Sequence, residues 1–170
     1  MMQLQINDPD NLTGEHSIGD VGQMIFCVLF MSTWILDSFF LKYTVFLNQI
    51  IPYAIRGVFG GIFLIASGFF SFNGLKMVFF EKQDPPAIIS NGVFGIVRHP
   101  IYFGEILFYA GLLFLSLSIA AGLVLITAVL FLVFISQFEE RLLQDRFGEK
   151  YIIYMENVPM FFPKLNKKRK

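Results

Sequence analysis

The stretch that decides the fold is residues 101–135, IYFGEILFYAGLLFLSLSIAAGLVLITAVLFLVFI, in which Glu105 is the one charged residue. As a single helix this stretch would be about 52 Å long, whereas the hydrocarbon core of a bilayer is about 30 Å thick. The length therefore predicts two membrane spans joined by a tight helical hairpin. We expect the turn at Ser116-Leu117-Ser118, where small polar residues interrupt the apolar run.

Two further spans precede this hairpin. Residues 21–41 are apolar with Asp37 as the only charge, and a second apolar run covers 52–72. An Asn-Gly pair weakens the second run, so residues 76–80 are expected to continue as an interfacial helix. Because four is an even number of spans, both termini are expected on the same side of the membrane. The glycines of the second span either allow close helix approach or are ordinary membrane-helix residues: Gly57, Gly60, Gly61 and Gly68.

The composition agrees with an all-α, polytopic membrane protein. Of 170 residues, 55% are hydrophobic, 17% are aromatic and only 15% are charged, with a formal net charge of zero. A soluble domain carries roughly 25% charged residues. Disordered chains, nucleic-acid binders and ordinary cytosolic enzymes are therefore excluded. We expect one domain with N-terminal spans (1–80), a core that holds the polar motifs (81–163) and a basic tail (164–170).

The basic residues indicate which side of the membrane is cytoplasmic. Lys82 and Arg98 lie between spans two and three, and the rest follow span four: Arg141, Arg146, Lys150 and the tail. The opposite side has Lys42 and Arg56. The positive-inside rule therefore predicts that the first side, with both termini, is cytoplasmic. The tail either contacts anionic lipids or extends as a solvated terminus.

Asp37 and Arg56 lie near the outer ends of the first two spans, at similar depth. A charge within the membrane is costly unless it is paired. The sequence therefore predicts an ion pair between these side chains, with a proton path as the functional alternative.

The polar residues that could carry chemistry lie on the cytoplasmic side. Pro100 suits the first turn of span three, which places His99 near the N-cap and Arg98 just before it. The unpaired N–H groups of the helix start and Arg98 form a corner suited to a carboxylate or a phosphate, with Tyr102 one turn further on. The alternative is an interfacial helix start with a snorkelling arginine.

Three acidic residues are further candidates. Glu139 and Glu140 lie where span four leaves the bilayer, and adjacent helical residues point about 100° apart, so one can face inward while the other is solvated or pairs with an arginine. Alternatively, both mark the helix boundary. Glu105 lies in the first turns of span three, where an acid either favours the helix dipole or contributes to catalysis.

Several kinds of site are not expected. The sequence has no phosphate-binding loop, no dinucleotide motif between a strand and a helix, and no serine nucleophile elbow. Cys27 is the single cysteine, which excludes a disulfide framework. The two histidines, His16 and His99, are far apart and lack acidic partners at metal-ligand spacing, so no metal site is expected.

Two motifs resemble a known family. Residues 90–104, SNGVFGIVRHPIYFG, are similar to the central signature of the membrane methyltransferases that include isoprenylcysteine carboxyl methyltransferase and the phospholipid N-methyltransferases. Residues after span four are similar to the family's carboxyl-terminal signature: Glu139-Glu140-Arg141, Leu143, Phe147-Gly148, Tyr151, Tyr154, Val158-Pro159 and Pro163. The two motifs occur in the family's order, with a hairpin between them, and cover about half of the chain.

The resemblance implies an S-adenosylmethionine pocket between the two cytosolic segments and methyl transfer to a lipophilic or membrane-embedded acceptor. By position, Glu140 with Glu139 beside it would receive the cofactor's ammonium group. The other cofactor-binding residues would be Gly92, Val93, His99, Pro100, Tyr102, Tyr151 and Tyr154. Arg98 and Glu105 are the candidates for a catalytic role.

Two departures from the family pattern leave the acceptor open. Phe94 stands where the family usually has a tyrosine, and Met160 stands where an arginine is common. A prenylcysteine-type carboxylate, a lipid amine, a thiol or another amphiphile all fit. The expected partners are this lipophilic or lipid-modified substrate and membrane lipids, without nucleic acid and in an oligomeric state that the sequence leaves open.

Two other functions compete with methyl transfer. An NADPH-dependent membrane reductase of the sterol-reductase type would hold the extra phosphate with Arg98, Arg141 and Arg146. A small transport or scaffold protein would place polar residues at the bilayer midplane, whereas the polar groups of this sequence cluster on one surface.

Overall fold

The computed structural model describes residues 17–80 and 87–162, and these residues are helical or lie in short connections. The α-helices are α1 (Ser17–Ile35), α2 (Tyr53–Phe80), α3 (Pro100–Ser116), α4 (Ile119–Phe147) and α5 (Glu149–Asn157). A π-helical segment, Leu36–Leu41, continues α1, and 3-10 turns cover Phe46–Gln49 and Gly92–Gly95. The predicted all-α fold is confirmed. Lys82 and the basic tail, 164–170, lie outside the described residues.

Three helical stretches are long and apolar enough to cross a membrane, and α3 is shorter. The long ones are Gly19–Leu41, Tyr53–Phe79 and Ile119–Phe147. At 17 residues, α3 is about 25 Å long, near the lower limit for a span. Large apolar side chains cover the outside of the bundle, as in Ile65, which is 77% exposed. Such a surface suits lipid, and the chain is a polytopic membrane protein.

The predicted hairpin turn is confirmed at the expected residues. Helix α3 ends at Ser116 and α4 begins at Ile119. Leu117 between them adopts a left-handed conformation with φ 47° and donates its N–H to the carbonyl of Leu113. Ser118 caps α4, because its hydroxyl accepts the backbone N–H of Ala121 at 3.1 Å. The two helices therefore run antiparallel with two residues between them.

Small residues bring α2 and α3 close together. A methyl group added to Gly60 would meet the carbonyl oxygen of Gly111 at 3.0 Å, and one added to Gly104 would meet Ser71 Oγ at 2.2 Å. The prediction of close approach is thus confirmed for Gly60. Added methyl groups at Gly57, Gly61 and Gly68 would meet nothing within 4 Å, so these three glycines are not contact points.

The second span is longer than the sequence predicted. Helix α2 runs without a break to Phe80, and residues 76–80 are its last turns rather than a separate helix. The Asn73 side chain donates back to the carbonyl of Phe69 at 2.8 Å, and Gly74 packs against Ile101 of α3. The Asn-Gly pair therefore accommodates a neighbouring helix instead of ending its own.

The predicted ion pair between Asp37 and Arg56 is wrong, because each side chain has other partners. Asp37 accepts hydrogen bonds from the backbone of Tyr43, from the backbone and hydroxyl of Thr44 and from the hydroxyl of Ser118. Arg56 donates to the Asn48 side chain and to two backbone carbonyls. Asp37 thereby fastens the end of the first span to the turn between α3 and α4.

Candidate active site

A cavity of about 340 Å³ lies where α1 and α3 begin and α2 and α4 end. Helix α5 and the segment that precedes α3 complete its wall. Its lining residues are Asp20, Gln23, Leu75, Val78, Phe79, Ala87, Ile88, Ile89, Phe94, Arg98, His99, Pro100, Ile101, Tyr102, Glu139, Leu143, Phe147, Tyr151 and Tyr154. The volume lies in the range of about 300–1,000 Å³ that small-molecule sites occupy.

The start of α3 is fixed by the segment that follows α5. Pro100 occupies the first helical turn, as predicted, and His99 is the N-cap residue. The backbone N–H of Arg98 donates to the carbonyl of Pro159 at 2.9 Å, and that of His99 donates to Met160 at 3.3 Å. The two sequence motifs are therefore joined through their backbones as well as their side chains.

Arg98 is the central cross-link of the site. Its guanidinium donates to both carboxylate oxygens of Glu140, from Nε at 2.7 Å and from Nη2 at 3.2 Å. Nη1 donates to the carbonyls of Met155 and Val158. The side chains of Arg98 and Glu140 are only 10% and 4% exposed. This two-pronged contact is the strong form of an arginine–carboxylate pair, and it ties α4 and α5 to the start of α3.

His99 lies between the two glutamates. Its Nε2 is 3.1 Å from Glu140 Oε1, and its Nδ1 is 3.6 Å from Glu139 Oε2. The Tyr102 hydroxyl donates to Glu139 Oε1 at 2.5 Å, and the rings of His99 and Tyr102 lie parallel, with centroids 5.6 Å apart. The Glu139 carboxylate is thus held at the cavity wall from two sides.

Helix α5 contributes two tyrosines to the wall. The Tyr154 hydroxyl donates to the carbonyl of Phe94 at 2.7 Å, and the Tyr151 and Tyr154 rings lie 5.6 Å apart. Burial raises the pKa of both phenols, and the nearby charge of Glu140 raises it further. Both phenols therefore stay neutral, and neither can act as a base near neutral pH.

The structure brings most of the predicted site residues to one cavity. His99, Pro100, Tyr102, Glu139, Tyr151, Tyr154 and Arg98 line it. Glu140 lies behind this wall, with its carboxylate held by Arg98 and His99. Val93 is buried at 3% exposure, and Gly92, with φ 53°, packs against Met77 of α2. Glu105 lies one helical turn beyond the lining residue Ile101.

Sequence reasoning missed the contribution of the first two spans. Asp20 and Gln23 of α1 line the cavity, as do the last turns of α2 through Leu75, Val78 and Phe79. A signal for the first pair was present: two polar residues three positions apart share one face at the start of a largely apolar helix. The α2 residues carry no such signal, because any lipid-facing helix ends in similar apolar residues.

The arrangement is suited to a cationic small molecule with an aromatic part. Two carboxylates, from Asp20 and Glu139, are in the lining, together with the rings of Phe94, Phe147 and the two tyrosines of α5. Aromatic faces attract cations, and carboxylates neutralise them. Among the described lining residues, Arg98 is the only lysine or arginine, and Glu140 and two carbonyls already engage it.

Comparison with known proteins gives one family. The family model for phospholipid methyltransferases matches residues 53–150, which span α2, α3, α4 and the start of α5. No curated protein and no solved structure matches the chain. The matched residues make up more than half of the chain and include the Arg98–Glu140 cross-link, so this chain belongs to the phospholipid methyltransferase family of membrane proteins.

Proposed function

We propose that this protein transfers a methyl group from S-adenosylmethionine to a lipophilic acceptor in the membrane, in the cavity between α1, α2, α3 and α4. The observation that carries the proposal is the carboxylate of Glu139 at the wall of an aromatic-lined cavity where the membrane spans end. The division of the chain into two N-terminal spans and a cofactor-binding core, residues 81–163, is part of this proposal, although the cavity lining also includes residues of α1 and α2.

The cavity residues fit the cofactor by their chemistry. In this proposal Glu139 receives the ammonium group, which its contacts with Tyr102 and His99 support, and Glu140 acts through Arg98 and His99 to hold that wall in place. The aromatic rings of the lining suit an adenine ring and a sulfonium, with cation–π contacts of about 0.5–2 kcal/mol. When bound, the cofactor supplies the methyl group as an electrophile on a positively charged sulfur.

The protein's part in the reaction is placement. Holding two reacting atoms about 3–3.5 Å apart can supply much of the lowering of the barrier, without a strong acid or base. The described residues provide the rigid frame for this: the backbone bonds from Arg98 and His99 to the segment after α5, and the Arg98–Glu140 pair. Arg98 is therefore a positioning residue in this proposal rather than a group that contacts the acceptor.

The acceptor would enter from the lipid between α1 and α2. Helix α1 packs mainly on α4 and α2 mainly on α3, so the two helices bound the cavity from opposite sides. Phe79 of the cavity wall is 62% exposed and would face lipid. We also propose that this end is cytoplasmic, because Arg98, Arg141, Arg146 and Lys150 lie on it and Lys42 and Arg56 lie on the other.

Cofactor binding to the purified full chain in detergent micelles tests this proposal. We expect S-adenosylmethionine to bind with a 1:1 stoichiometry by isothermal titration calorimetry, and NADPH not to bind. Glu139→Gln should raise the Kd for S-adenosylmethionine about tenfold to a hundredfold, because a hydrogen bond to a charged group is lost. Glu156→Gln, an exposed carboxyl on α5, is the matched control and should bind like the wild type.

Three results would contradict the proposal. Wild-type affinity for S-adenosylmethionine in the Glu139→Gln variant would remove Glu139 from the site. Binding of NADPH instead of S-adenosylmethionine would favour the reductase, and binding of neither would favour a protein without enzymatic activity.

A further inference from the structure

A groove adjoins the cavity at Tyr154, between α5 and the segment that precedes α3. Its volume is about 410 Å³, and its wall includes Ser90 and Gly95 of that segment. Ile88 and Tyr154 line both the groove and the cavity, so these two side chains separate the two spaces. Tyr154 is the only predicted cofactor contact among the described residues that line the groove. A second molecule can therefore occupy the groove while the cofactor occupies the cavity.

The charge of the groove is opposite to that of the cavity. The polar side chains of its lining are Ser90, Lys150 and Asn157, and the lining includes no acidic residue among those that the structure describes. Helix α5 has two acidic residues, Glu149 and Glu156, and both are exposed outside this lining. The cavity lining, in contrast, contains two carboxyl groups. A lysine and a hydroxyl without a nearby acid in the wall suit an anion rather than a cation.

The groove lies where two spans leave the membrane. Helix α4 ends at Phe147, three residues before Lys150, and α3 begins at Pro100, five residues after Gly95. This is the level of the lipid head groups. Apolar side chains remain exposed here, since Ile153 of the groove is 52% exposed. Basic pockets at this level bind the phosphates of anionic lipids, and an exposed isoleucine beside the lysine suits the glycerol and acyl part of the same molecule.

Two walls of the groove are bonded to residues of the cavity. The Tyr154 hydroxyl donates to the carbonyl of Phe94, which lines the cavity. The carbonyl of Val158, which lines the groove, accepts from Arg98 Nη1. Both spaces therefore require α5 to be packed against the segment before α3. A molecule that bridges these two elements across the groove stabilises the position of α5 that also completes the cavity.

We propose that this groove binds the phosphate group of an anionic membrane lipid, and that the bound lipid strengthens S-adenosylmethionine binding in the adjoining cavity. Lys150 provides the positive charge, and the Ser90 hydroxyl donates a hydrogen bond to a phosphate oxygen. The lipid site is independent of the proposed methyl transfer, whereas the effect on the cofactor rests on it. Because such coupling is reciprocal, the cofactor strengthens lipid binding by the same factor.

Native mass spectrometry of the full chain, released from neutral detergent micelles, tests the lipid site without the cofactor. We expect dioleoyl phosphatidylglycerol to bind with a 1:1 stoichiometry and a Kd at least about fivefold below that of dioleoyl phosphatidylcholine, whose choline balances the phosphate charge. Lys150→Gln should raise the Kd for phosphatidylglycerol about fivefold. Ser90→Asp, which adds a carboxylate to the groove, should raise it as well. Lys76→Gln, at an exposed lysine in the last turns of α2, is the matched control and should bind like the wild type.

Calorimetric titration tests the effect on the cofactor. We expect phosphatidylglycerol in the micelles to lower the Kd for S-adenosylmethionine about fivefold in the wild type and in Lys76→Gln. The same lipid should leave that Kd unchanged in Lys150→Gln, because this variant has lost the cation of the groove. Phosphatidylcholine should have no effect on any of the three proteins.

Each contrary result has its own meaning. Equal Kd values for the two lipids, wild-type affinity in Lys150→Gln, or an equal loss in Lys76→Gln would overturn the lipid site. Displacement of phosphatidylglycerol by an excess of inorganic phosphate would show that the groove takes a soluble phosphate and would overturn the lipid as its occupant. Lipid binding without a change in cofactor affinity would overturn the coupling. A wild-type protein that binds no S-adenosylmethionine would overturn the proposed function, and mass spectrometry would still test the lipid site in that case.

Discussion

Both ends of the bundle contain buried carboxylates, and different groups stabilise them at each end. At the end opposite the cavity, Asp37 accepts four hydrogen bonds from neutral donors, namely two backbone N–H groups and two hydroxyls. At the cavity end, Glu139 and Glu140 are buried beside a guanidinium, an imidazole and a phenol. The first arrangement closes a loop against a helical turn. The second surrounds a space large enough for a small molecule.

This difference separates a structural carboxyl from a candidate functional one. Four neutral donors, two from the backbone and two hydroxyls, leave Asp37 no capacity for a ligand, and its contacts join the first span to the turn after α3. The paired glutamates are held by side chains that line the cavity themselves, so a ligand would contact the same network. Mutations at the two ends should therefore separate stability from ligand affinity.

The largest effect is expected from Arg98→Ala. This change removes four hydrogen bonds and leaves Glu140 buried without its cation, which costs about 3–5 kcal/mol for a broken buried pair. We expect a large fall in the thermal unfolding temperature in micelles, together with loss of S-adenosylmethionine binding. Arg98→Lys should recover only part of the unfolding temperature and part of the S-adenosylmethionine binding, since an ammonium cannot reproduce the two-pronged contact of the planar guanidinium. Arg141→Ala, at an exposed arginine of α4, is the control, and an equal loss there would argue against a specific role for Arg98.

Asp37→Asn should also lower stability, but unlike Arg98→Ala it should leave cofactor affinity unchanged. An amide has one acceptor oxygen, and its NH₂ group would face hydroxyl and N–H donors, so we expect a loss of about 1–3 kcal/mol. Thermal unfolding and calorimetric titration of the same preparation measure both quantities. A tenfold loss of S-adenosylmethionine affinity without a change in unfolding temperature would break the distinction between the two ends.

Asp37 also shows where sequence reasoning succeeds and where it stops. Hydrophobic length predicted the spans, and small polar residues located the turn at residues 116–118, because both depend on local chemistry. One partner of Asp37, Ser118, is 81 positions away in the chain, and no local pattern encodes that contact. Arg56 was the cation at a similar predicted depth, yet backbone carbonyls and Asn48 satisfy it.

The candidate site likewise has features that the sequence predicted and features that it did not. Motif residues around Arg98 and Glu140 were predicted together, since two segments with matching signatures implied that they meet. The resemblance assigned the ammonium group to Glu140 with Glu139 beside it, whereas Glu139 is the one of the two that lines the cavity. The directions of these adjacent side chains depend on the rotation of α4 against α3, which the sequence does not encode locally. Nor could it reveal that α1 contributes Asp20 and Gln23, since that depends on how the first span packs.

The α2–α3 interface gives a smaller, paired test. Gly104→Ala should destabilise the bundle by about 1–3 kcal/mol, because the new methyl group would meet Ser71 Oγ at 2.2 Å and the carbonyl of Ser67 at 3.2 Å. Gly61→Ala has open space around it and should be neutral or slightly stabilising, as alanine favours the helix over glycine. Thermal unfolding compares them directly, and equal losses would mean that α2 and α3 are not in close contact at Gly104.

The smallest effect is expected from Tyr154→Phe, and it depends on pH. The change removes the hydrogen bond to the Phe94 carbonyl, at a cost of about 1 kcal/mol near neutral pH.

Burial raises the pKa of Tyr154 above its ordinary value, while the Arg98 charge lowers it and the Glu140 charge raises it. The folded protein therefore keeps this proton at a pH where the unfolded chain loses it, above about 10. Proton loss from the unfolded chain then lowers the stability of the wild type as pH rises, and Tyr154→Phe removes this contribution. The stability difference between the wild type and Tyr154→Phe should shrink between about pH 9 and pH 11. A difference that grows with pH would show that the phenol is ionised in the folded protein.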